Sequence, residues 1–361
     1  MAHDLFWDEK GILNYRQGFA DNLKQKTMPN RDIIVIGTSA GGVEALREVA
    51  HGLPPDLAAA VFIVIHLPAT SSSVLPDILS RNGPLPAFHA IDGEDIRRGR
   101  IYIAPPDYHL MVERDHMRVV RCPKENRMRP AADPLFRSAA RAFGPRVIGL
   151  VLTGTLDDGT AGLLAVKRRG GVTVAQDPID ALYPGMPRSA LNNVIVDYCL
   201  PLSEIPPLLA RLTETPAPDE DNYPASEELK IETGITLAES GYMESVDKLG
   251  NPSIFTCPEC SGVLWEMRDG ELIRFRCHVG HAFSVESLLA DQSEALENAL
   301  WAALRALEER AALCHRMVEH SRRHNQTFSA RRFEENAREL ERHGEILRGV
   351  LQEGINNHME E

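Results

Sequence analysis

The sequence lacks any apolar stretch of the roughly 20 residues that a membrane-spanning helix requires. It also lacks a basic N-terminal segment followed by an apolar one, so a secretory signal is not expected. These absences predict a cytoplasmic protein without membrane insertion. Basic residues are scarce, with 39 Lys and Arg against 52 Asp and Glu and a net charge of −13. This balance argues against nucleic acid as the main partner, because a phosphate backbone is bound by surplus Lys and Arg.

Cysteine is rare, with six residues in 361, and the six are unevenly placed. A disulfide framework has many regularly spaced cysteines in a short chain, so none is expected here. Three of the cysteines instead lie close together, at positions 257, 260 and 277. The apolar fraction of 43% is that of a globular protein. The length predicts two or three structural units.

The first part of the chain alternates strand and helix patterns. Residues 1–30 have mixed polarity without a sustained period, and an N-terminal arm or one short helix is predicted there. Between 31 and 213, strands are predicted at 33–37, 60–65, 100–104, 147–152, 172–175 and 194–199, and helices at 42–51, 132–142, 160–169 and 203–212. This alternation predicts an α/β domain with a doubly wound, mostly parallel sheet. An antiparallel hairpin, 108–112 with 117–120, is predicted as an addition to that sheet.

Composition changes after residue 213. Between Glu214 and Gly250 there are ten acidic residues and two basic ones, with three prolines. Like charges repel and extend a chain, so residues 214–253 are predicted to form an acidic linker. A small cysteine-rich unit is expected to follow at 254–284.

Residues 285–354 are predicted to be helical. Two series of mostly apolar residues step by three and four positions, which is the seam spacing of paired helices. The series are Leu300, Leu304, Leu307, Ala311, Cys314 and Val318, then Phe333, Ala337, Leu340, Gly344, Leu347 and Leu351. The pattern fits either a packed helical hairpin or a coiled coil that joins copies of the chain into a homo-oligomer.

The chain is organised around the stretch 32–46. Ile33–Ile36 is a β-branched apolar run that predicts a strand buried on both faces. Three glycines then allow a tight turn, and helical spacing resumes at Val43. Ser39 therefore lies where a strand turns into a helix, beside unpaired N–H groups of the helix N-terminus. Such a turn serves a nucleophile or a phosphate group, and the glycines alone do not decide between them.

Two further strand ends carry the residues that would activate a serine. A catalytic serine needs a base within hydrogen-bond reach and a carboxylate that orients the base. The run 61–65 ends in His66, and the run 147–152 leads into Asp157 and Asp158. In a doubly wound sheet the carboxyl ends of neighbouring strands converge. A strand-end histidine or a helix-capping aspartate alone is ordinarily structural, but their coincidence with Ser39 indicates a Ser-His-Asp site.

The residues around these positions resemble the signatures of one family. The matching stretches read GTSAGG at 37–42, IHLP at 65–68, ADPLFRS at 132–138, LTGTLDDG at 152–159 and GMPR at 185–188. Over residues 31–212 the chain is similar to the catalytic domain of chemotaxis protein-glutamate methylesterases. The resemblance implies a Rossmann-like three-layer domain that hydrolyses methyl esters of receptor glutamates without a cofactor. Some members of the family also deamidate receptor glutamines.

The resemblance also implies a role for each matching residue. Ser39 is the nucleophile, His66 is the base, and Asp158 is the carboxylate that orients His66. The rival carboxylate is Asp157, and the register of the family motif favours Asp158. The implied partner is the cytoplasmic region of a methylated, chemoreceptor-like protein.

The backbone N–H groups of Ala40 and Thr155 are the implied oxyanion donors. Family members usually carry an N-terminal receiver domain that gates the active site. This chain has only about thirty residues before the first predicted strand, so we expect control without an aspartyl phosphate on the same chain. The alternative function is a non-catalytic signalling adaptor that uses the α/β domain, the cysteine-rich unit and the helices for protein interaction.

The cysteine-rich unit has the spacing of a metal site. Cys257 and Cys260 form a C-x2-C pair, and after sixteen residues Cys277 and His281 form C-x3-H. This set suits tetrahedral zinc in a closed structural site, and the alternative is three free thiols. His281 is preferred to His278 for its spacing from Cys277. Because so small a unit cannot fold on its apolar area alone, a structural Zn²⁺ is predicted to supply the missing stability.

Overall fold

The structure is a computed structural model of the 361-residue chain. It describes residues 5–7, 13–15, 29–70, 73–239 and 243–357. None of the helices formed by these residues is long and apolar enough to cross a membrane. The chain divides into two compact units. The sheet unit comprises 1–121, 130–155 and 159–233, and the C-terminal unit comprises 122–129, 156–158 and 234–361.

Near the N-terminus two short strands, β1 (Leu5–Trp7) and β2 (Leu13–Tyr15), pair antiparallel. The rest of the predicted arm up to residue 28 lies outside the described residues, and so does the short helix predicted as its alternative.

Seven parallel strands form the centre of the sheet unit. The strands that follow β2 are β3 (Ile33–Thr38), β4 (Ala60–Ile65), β5 (Ala87–His89), β6 (Arg100–Ile103), β7 (His109–Val112), β8 (Met117–Val120), β9 (Val147–Val151), β10 (Val172–Gln176) and β11 (Tyr198–Leu200). All except β7 and β8 form one sheet in the order β11-β10-β9-β3-β4-β6-β5. Every neighbouring pair in this sheet is parallel. The predicted doubly wound α/β fold is therefore confirmed.

Helices cover both faces of this sheet. They are α1 (Gly42–Gly52), α2 (Leu75–Asn82), α3 (Ala132–Phe143), α4 (Thr160–Arg168), α5 (Gly185–Asn193) and α6 (Ile205–Thr213). Successive strand residues point to opposite faces, so Ile34 and Ile36 share a core with α1, α2 and α6. Ile33 and Val35 share the other core with α3, α4 and α5. The result is three layers with the strands buried on both faces.

Three elements of this domain are absent from the predicted set, namely β5, α2 and α5. Each is short, and the two helices contain Pro76 or Pro187, residues that indicate loops in a sequence. Burial holds both helices in place, since Leu79 and Met186 are fully enclosed. These elements are therefore stabilised by tertiary packing and not by the local conformational preference of their sequences.

The predicted hairpin at 108–112 and 117–120 forms, but the prediction that it extends the main sheet is wrong. β7 and β8 pair only with each other among the described strands. Their inner side chains Leu110, Val112 and Met117 belong to the core that contains α3. The hairpin therefore packs on that core instead of adding to an edge of the sheet.

The acidic segment is not extended along its whole length. Residues 227–236 form helix α7 (Glu227–Thr236), with Leu229 and Ile231 buried. Glu232 is only 3% exposed, and its Oε2 lies 3.1 Å from the Nε of Arg137, which is equally buried. This buried ion pair holds part of the segment in place, although repulsion among its acidic residues was predicted to extend it. Four short 3-10 helices are also present in the described part of the chain, at Gly144–Arg146, Leu202–Glu204, Glu220–Asn222 and Met243–Lys248.

The C-terminal unit contains a four-stranded antiparallel sheet. Its strands are β12 (Asn251–Thr256), β13 (Val263–Asp269), β14 (Leu272–Cys277) and β15 (Ala282–Ser284). β13 and β14 form a hairpin around Asp269 and Gly270. The core of this sheet is small and comprises Cys257, Leu264, Phe275, Cys277, Phe283 and Leu288.

Two long helices follow, α8 (Val285–Arg323) and α9 (Thr327–Asn357). They run antiparallel, because Arg322 pairs with Glu334 and His315 pairs with Glu341. The buried residues include Leu304, Ala311, Val318, Ala337 and Leu351, all from the two predicted series. The predicted helical hairpin is therefore present within the chain.

The buried pair of Arg137 and Glu232 generates a stability prediction. Glu232→Ala should lower the free energy of unfolding by about 3 kcal/mol, because it removes the carboxylate from an enclosed guanidinium. Glu227→Ala on the same helix is the control, since the Glu227 side chain is 76% exposed and its loss should cost less than about 0.5 kcal/mol. Urea unfolding of both variants measures the difference. Equal midpoints would show that the pair contributes no stability.

Candidate active site

Ser39 lies in a three-residue turn between β3 and α1. Gly41, the residue before the helix, has a left-handed backbone with φ of 72°. A Cβ atom there would also lie 3.1 Å from Leu182 Cδ2. Glycine meets both requirements, so the chain can turn sharply directly after Ser39.

The turn is anchored to the end of β9 through Thr153. The Ser39 N–H donates to the Thr153 carbonyl oxygen at 3.0 Å, and Thr38 Oγ1 donates to the same oxygen at 2.7 Å. The Thr153 hydroxyl in turn donates to the carbonyl oxygen of Ala40 at 3.0 Å. At Gly154 a Cβ atom would lie 2.9 Å from the Cβ of Ser39. The neighbouring strand end therefore approaches the serine so closely that only glycine fits.

His66 follows β4, the strand that pairs with β3 on its other side. The His66 N–H donates to the carbonyl oxygen of Thr38 at 3.3 Å. The Nδ1 atom of His66 lies 3.1 Å from Ser39 Oγ. In the tautomer protonated at Nε2, Nδ1 accepts the hydrogen of the serine hydroxyl. Both side chains are half-buried, and this is the geometry of a serine with a general base.

The two implied oxyanion donors, Ala40 and Thr155, follow the ends of β3 and β9. Neither backbone N–H donates to an acceptor among the described residues of the chain. Ala40 also lies one residue before the left-handed Gly41 that precedes α1. An N–H without an internal acceptor can donate to a bound group.

A fourth strand end supports the site and was missed in the sequence. Gln176, the last residue of β10, accepts a hydrogen bond from the Thr153 N–H at 2.9 Å and donates to Asp180 at 2.8 Å. The following loop returns to Thr153, whose hydroxyl accepts from the Tyr183 N–H at 2.9 Å. The rule that identified His66, a polar residue ending an apolar strand, also fits Gln176.

The Asp157 and Asp158 side chains are buried, 4% and 2% exposed. Asp158 Oδ1 accepts a hydrogen bond from Asn126 Nδ2 at 2.9 Å. Asp157 Oδ1 accepts one from Ser284 Oγ at 2.7 Å. The two rival carboxylates therefore have different hydrogen-bond partners, and neither partner is indicated by the sequence.

The comparison with known proteins covers the part of the chain that contains these residues. Positions 34–209 match the family described as CheB methylesterase. A curated Leptospira interrogans relative, provisionally named protein-glutamate methylesterase/protein-glutamine glutaminase, is 38% identical over 186 residues that cover 51% of this chain and 96% of the relative. The chain belongs to the CheB methylesterase family.

Another curated relative and a solved structure are also similar to this chain. The protein-glutamate methylesterase/protein-glutamine glutaminase of Pyrococcus abyssi is 34% identical over 192 residues, 52% of each chain. The chain thus spans about half the length of this curated CheB relative. The crystal structure of the Thermotoga maritima CheB methylesterase catalytic domain is 34% identical and aligns with 50% of this chain and 98% of that chain, with a TM-score of 0.49.

A second group of candidate site residues lies beyond the CheB match. The ligand atoms of Cys257, Cys260, Cys277 and His281 all lie within 4.8 Å of one another. The His281 Nδ1 atom is 3.7 Å from Cys257 Sγ and 3.5 Å from Cys277 Sγ, and Cys260 Sγ is 3.6 Å from Cys277 Sγ. His278 instead packs its ring edge-to-face against Trp265 at 4.9 Å. This cluster could hold a metal ion.

The spacings in the cluster can be compared with those of a tetrahedral ion. Bond lengths of about 2.3 Å to sulfur and 2.0 Å to nitrogen give edges of roughly 3.8 Å between sulfurs and 3.5 Å between sulfur and nitrogen. The measured distances are close to both values. A hydrogen bond from the Cys257 thiol lowers the pKa of Cys277 well below its usual range, and the His281 and Cys260 contacts act in the same direction. The donor set therefore fits zinc.

Proposed function

We propose that the chain is a serine carboxyl-ester hydrolase that removes methyl groups from glutamate methyl esters of chemoreceptor-like proteins, in chemotaxis-type adaptation. The observation that carries the proposal is the 3.1 Å contact between Ser39 Oγ and His66 Nδ1 at a strand-to-helix turn. Membership of the CheB family supports the substrate class, because its curated relatives are named for this reaction. We assign catalysis to residues 31–213.

The first chemical step forms an acyl-enzyme. His66 Nδ1 takes the proton from Ser39 as the Oγ atom attacks the ester carbonyl. The tetrahedral oxyanion is held by the N–H groups of Ala40 and Thr155, and preorganised donors of this kind are usually the largest catalytic contribution. His66 returns the proton to the methoxide oxygen, and methanol leaves. A glutamine substrate would follow the same course with ammonia as the leaving group, which agrees with the second half of the relatives' name.

In the second step water takes the place of the serine. His66 removes a proton from water, which attacks the acyl carbonyl and regenerates Ser39 and a glutamate carboxylate. We assign to Asp158 the role of orienting His66, on the ground of its position in the family motif. Because Nδ1 faces the serine, the ring nitrogen that would donate to this carboxylate is Nε2.

The surroundings of Ser39 support a protein substrate. Leu182, which lies against Gly41, is 71% exposed, and the neighbouring Tyr183 is 43% exposed. Apolar side chains exposed beside a half-buried nucleophile suit an ester carried on the surface of another protein.

A kinetic comparison tests the assignment. Ser39→Ala should reduce methanol release from a methylated receptor fragment by at least about a thousandfold, because members of a triad act as a unit. Asp158→Asn should be severely impaired through the wrong histidine tautomer, whereas the matched Asp157→Asn should keep most of the turnover. Steady-state rates of the purified full chains provide the measurement. A turnover of Ser39→Ala above about a tenth of the wild-type value would exclude the serine mechanism, because a tenfold loss corresponds to only ~1.4 kcal/mol of activation barrier.

We also propose that Cys257, Cys260, Cys277 and His281 bind one structural Zn²⁺. The ion would link the segment before β13 to the end of β14 and the turn that follows it. It would thus stabilise a sheet whose buried core comprises six of the described residues. All four ligands come from the protein, which leaves no open position for a substrate.

Metal analysis tests this site. Wild-type chain should contain one equivalent of zinc, and Cys260→Ser should lose it and become sensitive to proteolysis within 254–284, because binding energy is folding energy here. Cys122→Ser is the control and should keep the metal, since Cys122 lies outside the cluster. Full zinc content in Cys260→Ser would rule out this ligand set.

A further inference from the structure

The two aspartates of the family motif are held by one hydrogen-bond network in the C-terminal unit. Asn126 Nδ2 donates to Asp158 at 2.9 Å, and Ser284 Oγ donates to Asp157 at 2.7 Å. The network is closed by Asn126 Oδ1, which accepts from the Ser284 N–H at 3.0 Å. A movement of the segment around Ser284 would therefore change the partners of both carboxylates.

Ser284 is the residue that caps the 39-residue helix α8. Its Oγ accepts from the Ser287 N–H at 3.0 Å, and Ser287 Oγ accepts from the Ser284 N–H at 2.9 Å. This reciprocal capping box fixes the side chain of Ser284. The positive end of the helix dipole also favours the negative charge of Asp157 beside it.

Asn126 is enclosed and conformationally fixed. The side chain is 7% exposed, and the residue has a left-handed backbone with φ of 48°, which asparagine tolerates better than most residues. The Asn126 N–H donates to the carbonyl oxygen of Ala282, two residues before Ser284, at 2.8 Å. A buried carboxylate is costly unless it is hydrogen-bonded, and the Asn126 amide supplies such a bond to Asp158.

The residues that flank Asn126 tie it to the rest of the C-terminal unit. Glu125 accepts a hydrogen bond from Arg276, next to the metal-cluster residue Cys277, at 3.1 Å. Arg127 pairs with Asp291 and Glu294 in the first turns of α8. The loop is therefore held by both the small sheet and the long helix.

We propose that Asn126 is a positioning residue for Asp158 and that the α8 cap at Ser284 keeps it in place. Asn126 thereby fixes the direction of the orienting carboxylate. This inference rests on the proposed function, which gives Asp158 its role. Asn126 lies within the residues matched by the family, whereas Ser284, which keeps it in place, lies beyond them.

The test uses the full chain and Asn126→Gly, which removes the amide while glycine keeps the left-handed backbone. Its matched control is Asn325→Gly, because Asn325 has the same backbone conformation, with φ of 57°, in the turn between α8 and α9. Asn126→Gly should lower kcat for methanol release by about tenfold to a hundredfold, as expected for a charge-assisted hydrogen bond. KM should stay within about twofold, and Asn325→Gly should have wild-type kinetics.

A double-mutant cycle separates positioning from general stability. In an Asp158→Asn background, Asn126→Gly should lower kcat by less than about twofold, because both changes affect one interaction. An equal loss in both backgrounds would show that Asn126 is only structural.

Should Asn126→Gly fail to fold, Ser284 provides the second test. Ser284→Thr keeps the hydroxyl and the cap and should retain kcat. Ser284→Asp keeps a good cap but places a second carboxylate beside Asp157 and Asn126. Repulsion should displace Asn126 from Asp158, and kcat should fall at least about tenfold.

The outcomes distinguish this inference from the proposed function. Wild-type kcat in Asn126→Gly, or in Ser284→Asp, would overturn the inference and leave the esterase intact if Ser39→Ala remains inactive. A wild-type chain that releases no methanol would overturn both.

Discussion

The candidate active site depends on the register between two parallel strands. Thr38 lies opposite Ile65, so the next residue of each strand, Ser39 and His66, leaves the sheet at the same edge. A one-residue slip would turn the side chains of a strand to the other face and separate serine from histidine. The register is strongly specified because both faces of these strands are buried. The hydrogen bond between Ser39 and His66 is thus a consequence of the hydrophobic core.

The same reasoning explains what could be predicted from the sequence. β4 is a continuous apolar run ended by His66, and β3 starts as the apolar run Ile33–Ile36 that leads into the glycine-rich turn around Ser39. Both strands and both side chains could therefore be located. Asn126 and Ser284 could not be, because they are 158 residues apart and meet through a left-handed backbone and a helix cap. Glu232 lies in a segment whose composition indicates an extended chain, yet it is buried against Arg137. Contacts between polar side chains that are far apart along the chain produce no periodic pattern in the sequence, so they could not be predicted from it.

The C-terminal unit adds structural features that are not part of the family match. Its sheet has a small core and a cluster of four metal-type ligands, and its helical hairpin continues directly from the last strand. Segments 122–129 and 156–158 belong to this unit although they interrupt the sheet unit along the chain. The segment that contains Asp158 therefore belongs to the same compact unit as the C-terminal residues.

The central claim is that His66 activates Ser39, and a serine-directed fluorophosphonate reagent tests it most directly. Because the reagent reacts with activated serines, the wild-type chain should form one adduct, located at Ser39 by peptide mass analysis. His66→Gln should react at least about a hundredfold more slowly. Ser189→Ala, which removes a hydroxyl bonded to Thr160, should react like wild type. An adduct on another serine, or an unchanged rate in His66→Gln, would contradict the account.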